Sequence, residues 1–174
     1  MHTFAAWCAE LEKHVTSRYG IPVVTRDIPD PLTGDLNGAE IHIDWAVTPE
    51  QRLFLLAHLF GHTVQWNIDQ RKFVLGRPQR LPVRDDLLPA LLDYEREAAA
   101  YGLTLLHQAG ITAADQWYGD YSACDAAYLM HYYRTGEKSD FRSFWRDGAG
   151  TLTPLAIPPF KPARRIFRLD GVVI

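Results

Sequence analysis

Two histidines stand four residues apart in an apolar stretch, RLFLLAHLFGHTVQWN, that spans residues 52–67. Positions i and i+4 lie on the same face of a helix, one turn apart. The imidazoles of His58 and His62 can therefore close on one metal ion, and helical zinc sites are built on such a pair. The alternative is that two buried histidines only satisfy hydrogen bonds within the core.

A third ligand is predicted on the next long helix, Leu87 to Gln108. Glu95 shares one face of this helix with small and apolar residues at steps of three and four, namely Leu88, Leu91, Ala98, Gly102 and Leu105. A lone carboxylate that faces a core is costly unless it is paired or bound to a cation. His58, His62 and Glu95 together match a metal site with three protein ligands and one open position. The small residues on this face would let the two helices approach closely, and Glu97 is expected to face away, about 200° from Glu95.

The general base of the helical motif His-Glu-x-x-His is missing from this chain. Leu59 follows the first histidine, and it cannot accept a proton, whereas general acid–base help contributes roughly 10²–10⁴-fold to a reaction rate. Gln65, one turn beyond His62, could orient a water or complete the coordination, but an amide is no base at neutral pH. The sequence therefore predicts a metal site without its usual hydrolytic chemistry, and it leaves the catalytic residue undefined.

The remaining segments predict a single α+β domain over residues 1–174. Helical spacing and turn signals predict helices over 3–19, 48–69, 87–108 and 122–133, and strands over 21–25 and 39–45, with turns between the strands. His42 lies on the polar side of the second strand, so we expect it to be exposed, with Trp45 on the buried side. Residues 70–86 predict an irregular connection that either borders the site or is only solvated. Residues 151–174 predict an extended, proline-rich arm whose end, 166–174, is a terminal strand or a free arm.

Composition and charge exclude several classes of function. The chain has 174 residues, 47% of them hydrophobic and 22% charged, which is typical of a globular domain. A net charge of −3 argues against direct nucleic-acid binding. No apolar run reaches the roughly 18 residues of a membrane span, and the N-terminus lacks the pattern of a signal peptide. Cys8 and Cys124 are too few for a disulfide framework, so we expect a cytoplasmic protein with two reduced, buried thiols.

The order of these pieces resembles the ImmA/IrrE-type zinc metallopeptidase family over about residues 39–107. The resemblance is carried by the strand EIHI (residues 40–43), the helix RLFLLA-HLFGH (52–62) and the later helix YEREAAAY (94–101). It implies a zincin-like α+β fold, mostly helical, with a small sheet packed on the active-site helix. It also places His58, His62 and Glu95 on the three zinc positions and Leu59 where the catalytic glutamate stands. Family members cleave regulatory proteins or sit beside DNA-binding modules, but this chain shows no helix-turn-helix.

Three interpretations follow from this pattern. In the first, which we favour, the protein is a relative without peptidase activity, and its cleft binds a peptide or protein partner, with or without a metal, for which Zn²⁺ is the candidate. In the second, the two histidines and the carboxylate hold zinc or iron for other chemistry, such as hydrolysis with a substitute base. In the third, no metal binds, and His58, His62 and Glu95 form a buried hydrogen-bonded cluster.

Overall fold

A computed structural model describes residues 3–29 and 32–166 of the chain. Its helices are α1 (Phe4–Tyr19), α2 (Pro49–Ile68), α3 (Gln70–Leu75), α4 (Leu88–Gln108) and α5 (Asp115–Thr135), with 3₁₀ turns at Asp85–Leu87 and Phe141–Phe144. Its strands are β1 (Val23–Arg26), β2 (Gly34–Leu36) and β3 (Ile41–Asp44). The fold class is α+β, as predicted. Among the helices in the described ranges, none is both long and apolar enough to cross a membrane.

Helix α2 is the centre of the fold, and local sequence fixes where it begins. The Thr48 hydroxyl accepts a hydrogen bond from the Gln51 backbone, and the Gln51 side chain accepts one from the Thr48 backbone. This reciprocal capping box, with Pro49 in the first turn, satisfies backbone donors that a helix start leaves unpaired. Beyond the cap, α2 packs against α1, α4 and the sheet. Nearly every residue from Leu53 to Trp66 is therefore buried.

The sheet differs from the predicted one in a way that changes the environment of His42. Within the described residues, three strands pair in the order β1–β3–β2, with β3 parallel to β1 and antiparallel to β2. Strand β2 lies in the segment that was expected to contain only turns. All four residues of β3 are buried, so the prediction of an exposed His42 is wrong.

The polar side of β3 is buried, although the two carboxylates beside His42 are about half exposed. The side chain of His42 is only 8% exposed; its Nε2 lies 3.1 Å from Glu40 Oε2, and its Nδ1 lies 3.8 Å from Asp35 Oδ2. The Asp44 carboxylate accepts hydrogen bonds from the backbone of Ile28 and Ala46. Trp45 lies beyond the end of the strand and is 69% exposed, so its predicted place in the core is also wrong.

Helix α4 packs against α2 at backbone contact distance. A Cβ atom at Gly61 would lie 2.0 Å from the Ala98 carbonyl oxygen, and one at Gly102 would lie 2.7 Å from the Ala57 carbonyl oxygen. Neither position can therefore carry a side chain without moving the helices apart. The expected close approach at Ala98 and Gly102 is thus observed, and Gly61 completes it from the other helix.

Helix α5 begins earlier than predicted. Gly119, which suggested a turn, lies inside the helix and is a packing residue. The segment around Gly119 was expected to be a turn before a helix over 122–133, but α5 already begins at Asp115. A Cβ atom at Gly119 would lie 2.5 Å from the Gly150 carbonyl oxygen, so the later chain passes directly over this point. The Asp120 carboxylate holds that chain by accepting from the backbone N–H groups of Gly148 and Gly150.

The C-terminal arm packs on its own domain as far as it is described. Residues 151–166 carry no helix or strand. The Leu155 N–H donates to the Ala100 carbonyl oxygen on α4, and the Ala163 N–H donates to Asn67 Oδ1 at the end of α2. Residues 167–174, which include most of the predicted terminal strand, lie outside the described residues. The connection over 70–86 is irregular only in part, because its first six residues form α3.

Both cysteines are buried thiols, in line with the prediction. Cys8 donates to the Pro49 carbonyl oxygen, and Cys124 donates to the Phe141 carbonyl oxygen, each at 3.3 Å. Burial raises the pKa of both thiols to about 11, so the reactive thiolate is scarce at neutral pH.

Replacing Gly61 with alanine should destabilise the protein. The new methyl group would overlap the Ala98 backbone, and overpacking of this kind costs about 1–3 kcal/mol. Chemical denaturation by urea, followed by circular dichroism, should show a lower midpoint with an unchanged slope. A wild-type midpoint for Gly61→Ala would contradict the close helix contact.

Candidate metal centre

Three predicted side chains meet where α2 and α4 touch. His58 Nε2 lies 2.9 Å from Glu95 Oε2, His62 Nε2 lies 3.1 Å from the same oxygen, and the two Nε2 atoms are 3.1 Å apart. All three side chains are buried. The i, i+4 spacing on α2 and the helix-face position on α4 thus bring one ligand atom from each residue to a common point.

The spacing of these atoms suits a metal ion. Zinc binds imidazole nitrogen and carboxylate oxygen at about 2.0–2.1 Å, so two ligands of a tetrahedral site are about 3.3 Å apart. The observed separations of 2.9–3.1 Å need only a small expansion to reach that value. The buried His-His-Glu group could therefore hold a metal ion.

Gln65 fixes the tautomer of His62. Its Nε2 amide donates to the Tyr94 carbonyl oxygen at 2.9 Å and to Glu97 Oε2 at 2.5 Å. Both partners are acceptors, so the carbonyl oxygen of the Gln65 side chain must face His62. His62 Nδ1 therefore donates to Gln65 Oε1 at 2.8 Å, and a neutral His62 then presents the Nε2 lone pair to the centre.

Gln65 thus lies behind a histidine rather than on the open side of the centre. We expected this residue to orient a water or complete the coordination, but its amide is fully engaged by His62, Tyr94 and Glu97. Glu97 was expected to face away from the centre. Its carboxylate touches the centre only indirectly, through the Gln65 amide, and lies 3.1 Å from Lys72 Nζ. These outer partners orient the imidazole and increase its basicity.

Aromatic rings flank both histidines of the centre, and the histidines in turn shift the pKa of Glu95. The Tyr94 ring stacks on His62 at 4.4 Å between centroids, and the Phe54 ring stacks on His58 at 5.2 Å. Burial raises the pKa of Glu95, but a protonated His62 and hydrogen bonds from both imidazoles, as the metal-free centre allows, lower it by more. The pKa of Glu95 is held well below its ordinary value, so the centre contains an ionised carboxylate.

One buried nitrogen of the centre has no partner. His58 Nδ1 is enclosed and makes no hydrogen bond with any residue in the described part of the chain. Nδ1 therefore has no hydrogen-bond partner in either neutral tautomer unless a water reaches it.

A cavity of about 650 Å³ opens onto the centre from the side of α5. Its walls come from α4, from α5 and from the loop segment 149–153, and His58 and Glu95 line one end. Polar groups on the walls are Arg96, Ser122 and Asp125, while Leu92, Met130 and Leu152 contribute apolar surface. This volume is in the range of small-molecule and short-peptide sites.

Asp125 is the polar cavity residue that the sequence did not single out. It follows Tyr118 and Ser122 at steps of four and three, so the three residues share the face of α5 that turns toward the centre. The spacing of these three residues is present in the sequence. The predicted helix began at Ser122, however, so Tyr118 was not placed on the same helix face. Burial raises the pKa of Asp125 to about 7, with His58 lowering it and the negative charge of Glu95 raising it further.

Leu59, at the position of the missing general base, packs away from this cavity. It is buried, and a Cβ atom at Gly34 of β2 would lie 2.8 Å from its Cδ1 atom. The neighbouring Leu55 contacts the same point at 3.3 Å. The side chain at position 59 is thus part of the contact between α2 and the sheet.

Comparisons with known proteins add little to this picture. No protein-family model matches the chain, and no curated protein sequence matches it. Among solved structures, the chain is similar to a Mycobacterium tuberculosis transcriptional regulator, with 18% sequence identity and a TM-score of 0.36. The match covers 79% of this chain and 39% of that one, so this chain spans about two fifths of the length of its structural neighbour.

Replacing Asp125 with asparagine should stabilise the metal-free protein at neutral and higher pH. The carboxyl group has a pKa of about 7 in the folded chain against 3.8 when unperturbed, so the native state loses stability as pH rises between these values. Solvent in the cavity screens the charge, so we expect a gain of about 1–2 kcal/mol above pH 7 and none below pH 4. Urea unfolding at a series of pH values, after dialysis against a chelator, measures the gain.

The exposed Asp93 on α4 offers a matched control for this change. Asp93→Asn should leave the pH dependence of stability as in the wild type. A constant difference between Asp125→Asn and wild type at every pH would show that Asp125 is ordinarily solvated.

Proposed function

We propose that this protein is a zincin-like relative of the ImmA/IrrE-type metallopeptidases that binds one zinc ion through His58, His62 and Glu95. In this proposal the cavity beside the zinc site binds a peptide or a segment of a protein partner. The usual general-base chemistry at position 59 is absent. The observation that carries the proposal is the triangle of three ligand atoms, 2.9–3.1 Å on a side, at the end of a cavity.

The choice of zinc rests on the chemistry of the ligands. Two neutral imidazoles and one ionised carboxylate, with an open fourth position, form the ligand set of the His₂Glu class of zinc sites. When bound, zinc supplies a Lewis acid that polarises a carbonyl oxygen and lowers the pKa of water. Iron uses the same ligand types in 2-His-1-carboxylate sites, so metal identity has to be measured.

The choice of a peptide ligand rests on the walls of the cavity. One wall is the loop segment 149–153, whose backbone N–H and C=O groups could hydrogen-bond to the main chain of a bound peptide. This wall is held at both ends, by Asp120 at Gly150 and by Ala100 at Leu155. A peptide lying along it would place a carbonyl group near His58 and Glu95.

A metal-dependent hydrolase is a second candidate. Asp125 favours it, because a carboxylate on the cavity wall could replace the base that position 59 lacks. The metal-free alternative, in which His58, His62 and Glu95 only bond to one another, makes a different prediction for metal content.

Protein purified without a histidine tag should contain about one zinc ion per chain. The double variant His58→Ala, His62→Ala should lose it, because one carboxylate alone cannot hold the ion. Elemental analysis by mass spectrometry measures the content, and the rise in melting temperature on adding zinc gives a second readout.

The surface histidines provide a control of equal composition. His14→Ala, His107→Ala removes two imidazoles outside the centre and should keep the zinc content of the wild type. If metal-free wild-type protein takes up no zinc, the proposed function is contradicted. That result would support the alternative in which His58, His62 and Glu95 only hydrogen-bond to one another. Equal zinc in the His58, His62 double variant would show that the ion binds elsewhere.

Introducing glutamate at position 59 should destabilise the protein without creating peptidase activity. Leu59 packs against Gly34, so Leu59→Glu would bury a carboxylate in an apolar contact at a cost of about 1–3 kcal/mol. Leu59→Met, which conserves volume, should cost less than about 1.5 kcal/mol. Thermal unfolding and cleavage of fluorescent casein by the zinc-loaded variants test both parts. Peptidase activity gained by Leu59→Glu would show that the family's catalytic geometry survives at this position.

A further inference from the structure

The carboxylate of Asp125 lines the same cavity as two of the three residues that form the centre. His58 and Glu95 lie at one end of the cavity, and Asp125 is part of its α5 wall. The centre and the carboxylate thus share one solvent-accessible space.

Asp125 has no structural partner that would explain its position. It makes no hydrogen bond and no ion pair with any other residue of the ranges 3–29 and 32–166. Acidic residues elsewhere in the fold have clear structural roles: Asp44 ties β3 to its neighbours, and Asp120 anchors Gly148 and Gly150. A half-buried carboxylate without such a role is destabilising, which is typical of groups that act on a ligand.

We propose that Asp125 is the proton acceptor of a hydrolytic reaction at this centre, in place of the missing glutamate at position 59. The inference rests on the metal site of the proposed function. Of the two candidate functions given there, peptide binding and metal-dependent hydrolysis, it selects hydrolysis. The substrate class is a peptide or other amide, whose carbonyl group enters the cavity beside His58 and Glu95.

The step is a simple addition of water across the amide bond. A water in the cavity gives a proton to a carboxylate oxygen of Asp125 while its oxygen bonds to the carbonyl carbon. The carbon–nitrogen bond then breaks, its electron pair leaves with the nitrogen, and Asp125 returns the proton to that nitrogen. Atoms and charge balance, and nothing is oxidised or reduced.

The location of Asp125 explains why the general base would lie on α5 and not at position 59 of α2. The side chain at position 59 is packed against Gly34 of β2, whereas the cavity lies between α4, α5 and residues 149–153. A base has to face the space in which water and substrate meet. In this chain Asp125 faces that space and Leu59 does not.

Acetohydroxamic acid tests the inference without knowledge of the natural substrate. It binds zinc as an anion, and its proton must go to a base in the site or to the buffer. Calorimetric titration of the zinc-loaded protein, in two buffers of different ionisation enthalpy, counts the protons released. At pH 8, where the Asp125 carboxyl group is mostly ionised, we expect the wild type to retain the proton on Asp125 and the isosteric Asp125→Asn variant to release it. The variant should also bind about 10–100-fold more weakly, because a charge-assisted hydrogen bond is lost.

The controls separate the possible failures. Asp93→Asn should behave as the wild type in affinity and in proton release, and both variants should keep the zinc content of the wild type. Equal affinity and equal proton release for Asp125→Asn and wild type would overturn the inference and leave the metal site standing. Zinc-loaded wild type that does not bind acetohydroxamic acid would overturn it as well. Wild type that holds no zinc would overturn the proposed function and the inference with it.

Discussion

The backbone contact between α2 and α4 is the constraint on which the rest of the structure depends. At Gly61 and Ala98 the two helices are so close that even a methyl group on Gly61 would overlap the opposite backbone. Gly61 lies between the two histidines, and Ala98 lies three residues after Glu95, so the closest approach falls beside the centre. A larger separation would leave the Glu95 carboxylate in an apolar interface without its imidazole partners, which is costly.

Side chains pack against the histidines on one side of the centre, and the other side opens into the cavity. Gln65 and Tyr94 hold the outer side of His62, and Phe54 covers one face of His58. The open side faces a cavity whose walls mix apolar surface with a few polar groups. Such an arrangement, with oriented ligands on rigid helices and a shaped space beside them, is what both catalytic and binding sites require.

Much of the centre could be predicted from sequence because its geometry is local. An i, i+4 pair and a helix-face argument are sufficient to bring His58, His62 and Glu95 together, and the small residues on α4 indicate the close packing. The cavity could not be predicted in this way, since Asp125 and residues 149–153 reach it only through tertiary packing. Two local signals also misled. Gly119 resembles a turn residue but is a contact point, and His42 alternates as an exposed residue although its strand is central.

The tie between Asp120 and the backbone at Gly148 and Gly150 affects how the site is assembled during synthesis. The ligand residues 58, 62 and 95 leave the ribosome well before the segment that encloses them. A nascent chain that has reached α5 already carries all three side chains of the centre, but not yet residues 149–153, which form a wall of the chamber. The centre can therefore form before the chamber closes, and the last third of the chain sets the shape of the chamber.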